Sequence, residues 1–207
     1  MAIRIPGRVV VFDHGEVISR SPNDADRAAV EHAAGVGAEP FWPAYWRHRD
    51  ALDHGRLSNH EYWKRISDDL GADWSDSRIH QLWITDYRSW LSIDTDVFDI
   101  IAELHDGGTR VAVLSNAAEE YGGYLRGGPM ARFYERVFVS AEMGKLKPSA
   151  DIYLEVAAEL AVSIDQLIFI DNKAGNVEGA EALGVTGHVF TDAAGLRTFL
   201  TTLADQE

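Results

Sequence analysis

A doubly wound parallel α/β sheet, interrupted after its first strand by a small helical domain, is the fold class that three observations predict. Val9 to Phe12 are apolar and mostly β-branched without alternation, as in a central strand covered on both faces. From Asp96 onward strand-like runs alternate with helical patterns, which calls for parallel crossovers. Between Ser19 and Ser92 there is no strand-like run, and all six tryptophans (Trp42, Trp46, Trp63, Trp74, Trp83 and Trp90) fall there. The expected organisation is an α/β core of residues 1–18 and 93–207 with a helical domain of residues 19–92 inserted.

Taken in order, the first strand runs into Asp13-His14-Gly15-Glu16-Val17-Ile18. Ligands of open α/β sheets sit beyond the carboxyl ends of the strands, so a carboxylate arriving there is placed to act on a substrate or metal. The competing reading is that Asp13 only caps a turn before Gly15. In the inserted block Ser58 reads as an N-cap, with Glu61 completing a capping box, and the helix continues to Gly71. The tryptophans read mainly as core, with a substrate pocket as the alternative.

Downstream, Val97 to His105 is an amphipathic helix closed by Gly107-Gly108. Arg110–Leu114 is a buried strand followed by Ser115-Asn116-Ala117, and Glu119–Tyr134 is helical with a glycine-rich break. That break, Tyr121 to Pro129, is either a mobile loop near the site or a plain connection. Val137–Ser140 is a strand, Lys145–Pro148 a loop and Ala150–Leu160 a helix. Leu167–Ile170 is a strand running into Asp171-Asn172, Asn176–Leu183 a helix, His188–Phe190 a last strand and Ala194–Leu203 a last helix.

Composition narrows the function classes. The chain carries 33 acidic and 19 basic residues, a net charge of -14, which argues against nucleic-acid or acidic-membrane partners. It leaves room for a small phosphorylated substrate, since a local cluster of N–H groups and a metal can bind an anion in an acidic protein. There is no cysteine, which excludes disulfides, thiolate metal sites and cysteine nucleophiles. No stretch of roughly 20 apolar residues is present, and a soluble cytoplasmic protein is the expectation.

Parallel strands would bring Asp13, Ser115, Lys147 and Asp171 to one edge of the sheet. Asp13 supplies a nucleophilic carboxylate, Ser115 and nearby N–H groups can bind phosphate oxygens, Lys147 neutralises charge, and Asp171 can help to hold a divalent cation. Such a set suits phosphoryl transfer, where positioning and charge neutralisation contribute most of the catalysis. Singly, Ser115 could be an N-cap and Lys147 a solvated charge; four together in this order make that reading weaker.

The motifs resemble those of the haloacid dehalogenase-like (HAD) hydrolases over nearly the whole chain. Phe12-Asp13-His14-Gly15-Glu16-Val17-Ile18 is similar to the first motif, Val113-Leu114-Ser115-Asn116 to the second, Lys147-Pro148 through Tyr153 to the third, and Ile170-Asp171-Asn172 through Asn176 and Gly179 to Ala180 to the fourth. The inserted helices resemble the family's first type of cap domain. The resemblance implies an aspartyl-phosphate on Asp13. It also implies Mg2+ held by Asp13, the Gly15 carbonyl, Asp171 and Asn172, and phosphate held by Ser115, Asn116 and Lys147.

Two positions depart from the family pattern. Phosphatases of the family usually carry a second aspartate two residues after the nucleophile, where this chain has Gly15. Without a proton donor there, worth typically about 10² to 10⁴ in rate, slow turnover is expected, less so for aryl phosphates. His14 and Glu16 are the substitute candidates, although strand alternation would turn His14 away from the Asp13 side. Asn172 replaces a second acid and implies weaker Mg2+ binding. The function expected is Mg2+-dependent hydrolysis of a small phosphate monoester such as a sugar phosphate. The alternatives are a 2-haloacid dehalogenase, or a non-catalytic regulatory module that binds phosphate and Mg2+. For substrate selection Trp42, Tyr45, Trp46, Arg47, His48 and Arg49 stand out, with a solvated helix face as the competing reading of the Arg47-His48-Arg49 run.

Overall fold

A computed structural model describes residues 2–206. Five parallel strands, β1 (Val9–Phe12), β2 (Arg110–Ser115), β3 (Arg136–Val139), β4 (Leu167–Asp171) and β5 (Thr186–Val189), form one sheet in the order β3-β2-β1-β4-β5. The fold class is the expected one. The chain winds outward from β1 in both directions, so β1 is central and its carboxyl end faces the crevice where such sheets bind ligands.

The absence of alternation in β1 has its explanation in two cores. Val10 and Phe12 join Val111, Val113, Ile168 and Ile170 on one face, while Val9 and Val11 join Ala112, Leu114, Leu167 and Phe169 on the other. All four residues of β1 are buried, which selects apolar side chains at every position.

Between β1 and the core helix α6 (Thr95–Asp106) the chain forms α1 (Asp24–Ala34), α2 (Ala38–Arg47), α3 (Arg49–Asp53), α4 (Asn59–Asp69) and α5 (Asp76–Ser89). It leaves and returns side by side: Ser19 bridges Ile93, Arg20 N donates to Ser92 O, and Asp94 N donates to Ile18 O. The expected capping box of Ser58 and Glu61 opens α4. The tryptophans divide. Trp63 and Trp74 are core, whereas Trp46 is 53% exposed.

After β2 come α7 (Glu120–Gly127), α8 (Ser140–Met143), α9 (Ala150–Glu159), α10 (Ala174–Glu181) and α11 (Ala193–Ala204). Two expectations are corrected. The glycine-rich stretch after Tyr121 is mostly helix α7; a Cβ at Gly122 would lie 2.2 Å from Glu142 Oε1, so that glycine admits a neighbour and does not break the helix. Ser140 starts α8 and does not end β3, and its Oγ accepts from Ala117 N and donates to Asp53 O of the inserted helices. At Gly179 a Cβ would lie 2.8 Å from Pro148 Cβ, so the small residue lets α10 seat against the loop that carries Lys147.

Candidate active site

Asp13 follows β1 directly, and its N–H donates to Ile170 O at 2.8 Å, continuing the ladder for one residue. Ser115 and Asp171 are the last residues of β2 and β4. Lys147 comes from the loop before α9. Its Nζ lies 2.9 Å from Asp13 Oδ1, and donates to Asp171 Oδ2 at 2.7 Å and Leu114 O at 2.9 Å. Three acceptors match the three protons of an ammonium. Three of the four residues read as one set are thus in contact, and Ser115 lines the same cleft.

The electrostatics follow from burial. Asp13 is 7% exposed and Asp171 fully enclosed. Desolvation raises the pKa of Asp13 to about 6; Lys147 opposes that shift and Asp171 adds to it. Burial works against the Lys147 ammonium, but the two carboxylates outweigh it and hold its pKa above the usual lysine value. Two carboxylates against one ammonium leave an excess negative charge, which a bound cation would offset.

Asp171 is heavily engaged: Oδ1 accepts from Lys173 N at 2.8 Å, and Oδ2 also accepts from Asn176 Nδ2 at 2.9 Å. Asn172 Nδ2 donates to Glu16 Oε2 at 2.8 Å, while Asn172 Oδ1 is buried without a protein partner. Among the described residues no three His, Cys, Asp or Glu side chains form a metal-holding group. A cation here would depend on amide and carbonyl oxygens beside Asp13 and Asp171. The unpartnered Asn172 Oδ1 fits that need, because hard divalent cations accept neutral oxygen ligands.

Some expected residues stand elsewhere than their motif implies. Asn116 Oδ1 accepts from Lys147 N and its Nδ2 donates to Lys147 O, both at 3.0 Å. Its side chain is committed to the Lys147 backbone, so a phosphate contact from Asn116 would fall to its N–H. His14 is corrected more fully. The strand ends at Phe12, alternation no longer governs the turn, and His14 lines the same cleft as Asp13. Burial lowers its pKa to about 4, so it is neutral at pH 7. Glu16 also lines the cleft and accepts from Ser21 Oγ.

The cleft has a volume of about 460 Å³, and the inserted helices wall it with Trp42, Tyr45, Trp46, Arg49 and Trp90. Arg49 Nε donates to both Asp53 oxygens at 2.8 and 3.0 Å and its Nη1 to Tyr45 Oη at 2.6 Å; Tyr45 Oη donates to Asp86 Oδ1 at 2.8 Å. Arg47 and His48 instead meet Asp69, each at 2.8 Å, away from the cleft. Asp53 and Asp86 escaped the sequence reading. Asp53 had a signal in its i,i+4 spacing from Arg49, whereas Asp86 is brought in by tertiary packing alone. A second groove beside β3, about 570 Å³, lacks this chemistry because its charged side chains are already paired, Arg126 with Glu142, Arg136 with Glu159, Glu135 with Arg110 and Glu155 with Lys145.

Solved structures share this arrangement of strands and helices. A HAD-family enzyme of Bacteroides thetaiotaomicron, crystallised with magnesium and inorganic phosphate, superposes over 89% of this chain and 94% of its own with a TM-score of 0.71 at 17% identity. A predicted HAD-like family hydrolase of Porphyromonas gingivalis aligns over 93% of this chain and 97% of its own, with a TM-score of 0.70 and 25% identity. This chain has the HAD-like fold. A 2-haloacid dehalogenase of Pseudomonas syringae shares the fold at a TM-score of 0.62 and 16% identity, over 87% of this chain and 84% of its own. No family model matches the chain. A sesquiterpene phosphatase of Aspergillus oryzae is 35% identical over 60 residues, 29% of this chain. The chain spans 31% of the length of that curated relative.

Proposed function

We propose that this HAD-like protein is a Mg2+-dependent hydrolase of small phosphate monoesters that works through an aspartyl-phosphate. The observation that carries the reading is the contact of Asp13, Lys147 and Asp171 at the carboxyl edge of the central strands. A phosphatase relative and a Mg2+- and phosphate-bound fold neighbour support it.

In this reading an Asp13 carboxylate oxygen attacks phosphorus, and the bond to the ester oxygen breaks with its electron pair leaving on that oxygen. Water then attacks phosphorus, the bond from phosphorus to the Asp13 oxygen breaks with its electron pair returning to the carboxylate, and the water's proton passes to solvent as inorganic phosphate leaves. Lys147 keeps Asp13 ionised and faces the phosphate charge, and Ser115 with the N–H of Asn116 takes phosphate oxygens. Asp13, the Gly15 carbonyl, Asp171 and Asn172 would hold Mg2+, which supplies charge neutralisation when bound. Gly15 has no proton to give, His14 carries no extra one at pH 7, and Glu16 is tied to Ser21 and Asn172. The leaving oxygen takes its proton from solvent, which favours aryl over alkyl esters. Residues 19–92 serve as the cap that selects the substrate, and the cleft size suits a small organic phosphate.

Hydrolysis of p-nitrophenyl phosphate with and without Mg2+, beside Asp13→Asn, tests the reading. Mg2+-dependent turnover lost in Asp13→Asn is the expected result. Equal rates in wild type and variant would sink it, and turnover of 2-chloropropionate without metal would favour the dehalogenase.

A further inference from the structure

Glu16 adopts the left-handed conformation, with φ 61° and ψ 14°, which a side chain bearing a Cβ rarely takes. Such strain persists where surrounding contacts hold it, and both carboxylate oxygens of Glu16 are held. Oε1 accepts from Ser21 Oγ, and Oε2 accepts from Asn172 Nδ2 at 2.8 Å. That second bond fixes which way the Asn172 amide faces. Rotating the amide by half a turn would set its oxygen against the Glu16 carboxylate, an acceptor against an acceptor. In the observed orientation Asn172 Oδ1 is the buried atom left without a protein partner, although buried polar atoms are normally paired.

We infer that Glu16 is a positioning residue for a cation, locking the Asn172 amide so that its oxygen, and not its NH2, is offered as a ligand. The chain would then keep a carboxylate next to the metal-binding oxygens at position 16 while position 172 contributes a neutral one. A carboxylate that orients a ligating group from behind is a common arrangement around metals. The inference rests on the Mg2+-dependent reading proposed above.

The test is Mg2+ affinity by titration calorimetry, with no substrate present, on wild type, Glu16→Gln, Asn172→Ala and the double variant. Gln at 16 keeps an oxygen for Ser21 but presents an NH2 to Asn172, which frees the amide to turn over. The expected result is a Kd at least about tenfold higher for Glu16→Gln, with less than about a twofold further change when the same substitution is made in Asn172→Ala. The paired exchange Glu16→Asn with Asn172→Asp should recover affinity. Asparagine tolerates the left-handed backbone, and the carboxylate moved to position 172 would face an amide in place of a second carboxylate. Unchanged Mg2+ affinity in folded Glu16→Gln would overturn the inference. So would an equal loss in both backgrounds, which would mark a through-space charge effect. Wild type that binds no Mg2+ would instead overturn the Mg2+-dependent reading itself, and the inference with it.

Discussion

Gly15 decides more about this site than any other single residue, because it stands where a proton donor would be useful. Its backbone, at φ -65° and ψ 123°, suits any residue, and a Cβ there would meet nothing nearer than Trp90 at 4.0 Å. Gly15→Asp should therefore fold normally and raise kcat/KM on alkyl phosphates by about tenfold or more, with little change on p-nitrophenyl phosphate. A uniform rise on both esters would show that proton donation is not what the wild-type site lacks. Asn116 permits an equally direct test. Asn116→Ala would strip partners from the Lys147 N–H and C=O, costing about 1–3 kcal/mol and lowering kcat with the loss of Lys147 position. Were Asn116 instead a phosphate ligand through its side chain, the inhibition constant of inorganic phosphate would rise with thermal stability unchanged.

At the scale of the element, α2 and the start of α3 sort their side chains by helical period. Trp42, Tyr45, Trp46 and Arg49 stand at i, i+3, i+4 and i+7 and line the cleft, whereas Arg47 and His48 fall on the other side with Asp69. Trp46 is half-exposed, so Trp46→Ala should leave the melting temperature within about 2 °C, since exposed substitutions usually change stability by under about 0.5 kcal/mol. KM should rise several-fold for esters with a bulky organic group. Arg47→Ala should change neither quantity, because an exposed ion pair contributes little. Kinetics of the two variants on the same substrate series checks both statements, and a larger KM change in Arg47→Ala would reverse the assignment.

For the whole molecule, buried charge sets the dependence of stability on pH. Desolvation raises Asp53 from its ordinary 3.8 to about 6 against the pull of Arg49 and Lys173. A carboxylate whose folded pKa exceeds its unfolded value contributes stability that is complete below the unfolded value and lost as pH rises through the folded one. Asp86 and Asp13, also raised, act in the same direction. His14, lowered by burial from 6.5 to about 4, acts oppositely and loses its contribution as pH falls through that range. Comparison with Asp53→Asn isolates one group. From pH 4 to pH 7 wild type should lose up to roughly 3 kcal/mol more unfolding free energy than the variant, read from urea midpoints. Parallel curves would mean that Asp53 titrates normally in the folded chain.

What the sequence determined by itself was the periodic and the local. Apolar runs without alternation gave β1, β2 and β4, because a strand covered on both faces is apolar on both sides along its length, with the polar Ser115 and Asp171 only at the carboxyl ends. Ser58 and Glu61 gave the start of α4, because a capping box closes within four residues. The order of Asp13, Ser115 and Asp171 was enough to place them on one edge, since parallel strands all end on the same side, while Lys147 reaches that edge from the loop before α9. Tertiary structure decided what depends on contacts between distant segments. It turned His14 into the cleft, bound the Asn116 side chain to the Lys147 backbone, kept the glycine-rich stretch after Tyr121 helical against Glu142, and brought Asp86 to Tyr45 and Glu16 to Asn172. Those outcomes rest on one or two hydrogen bonds and on close approaches across as many as 156 positions of chain, and such pairings leave no period in the sequence that would announce them.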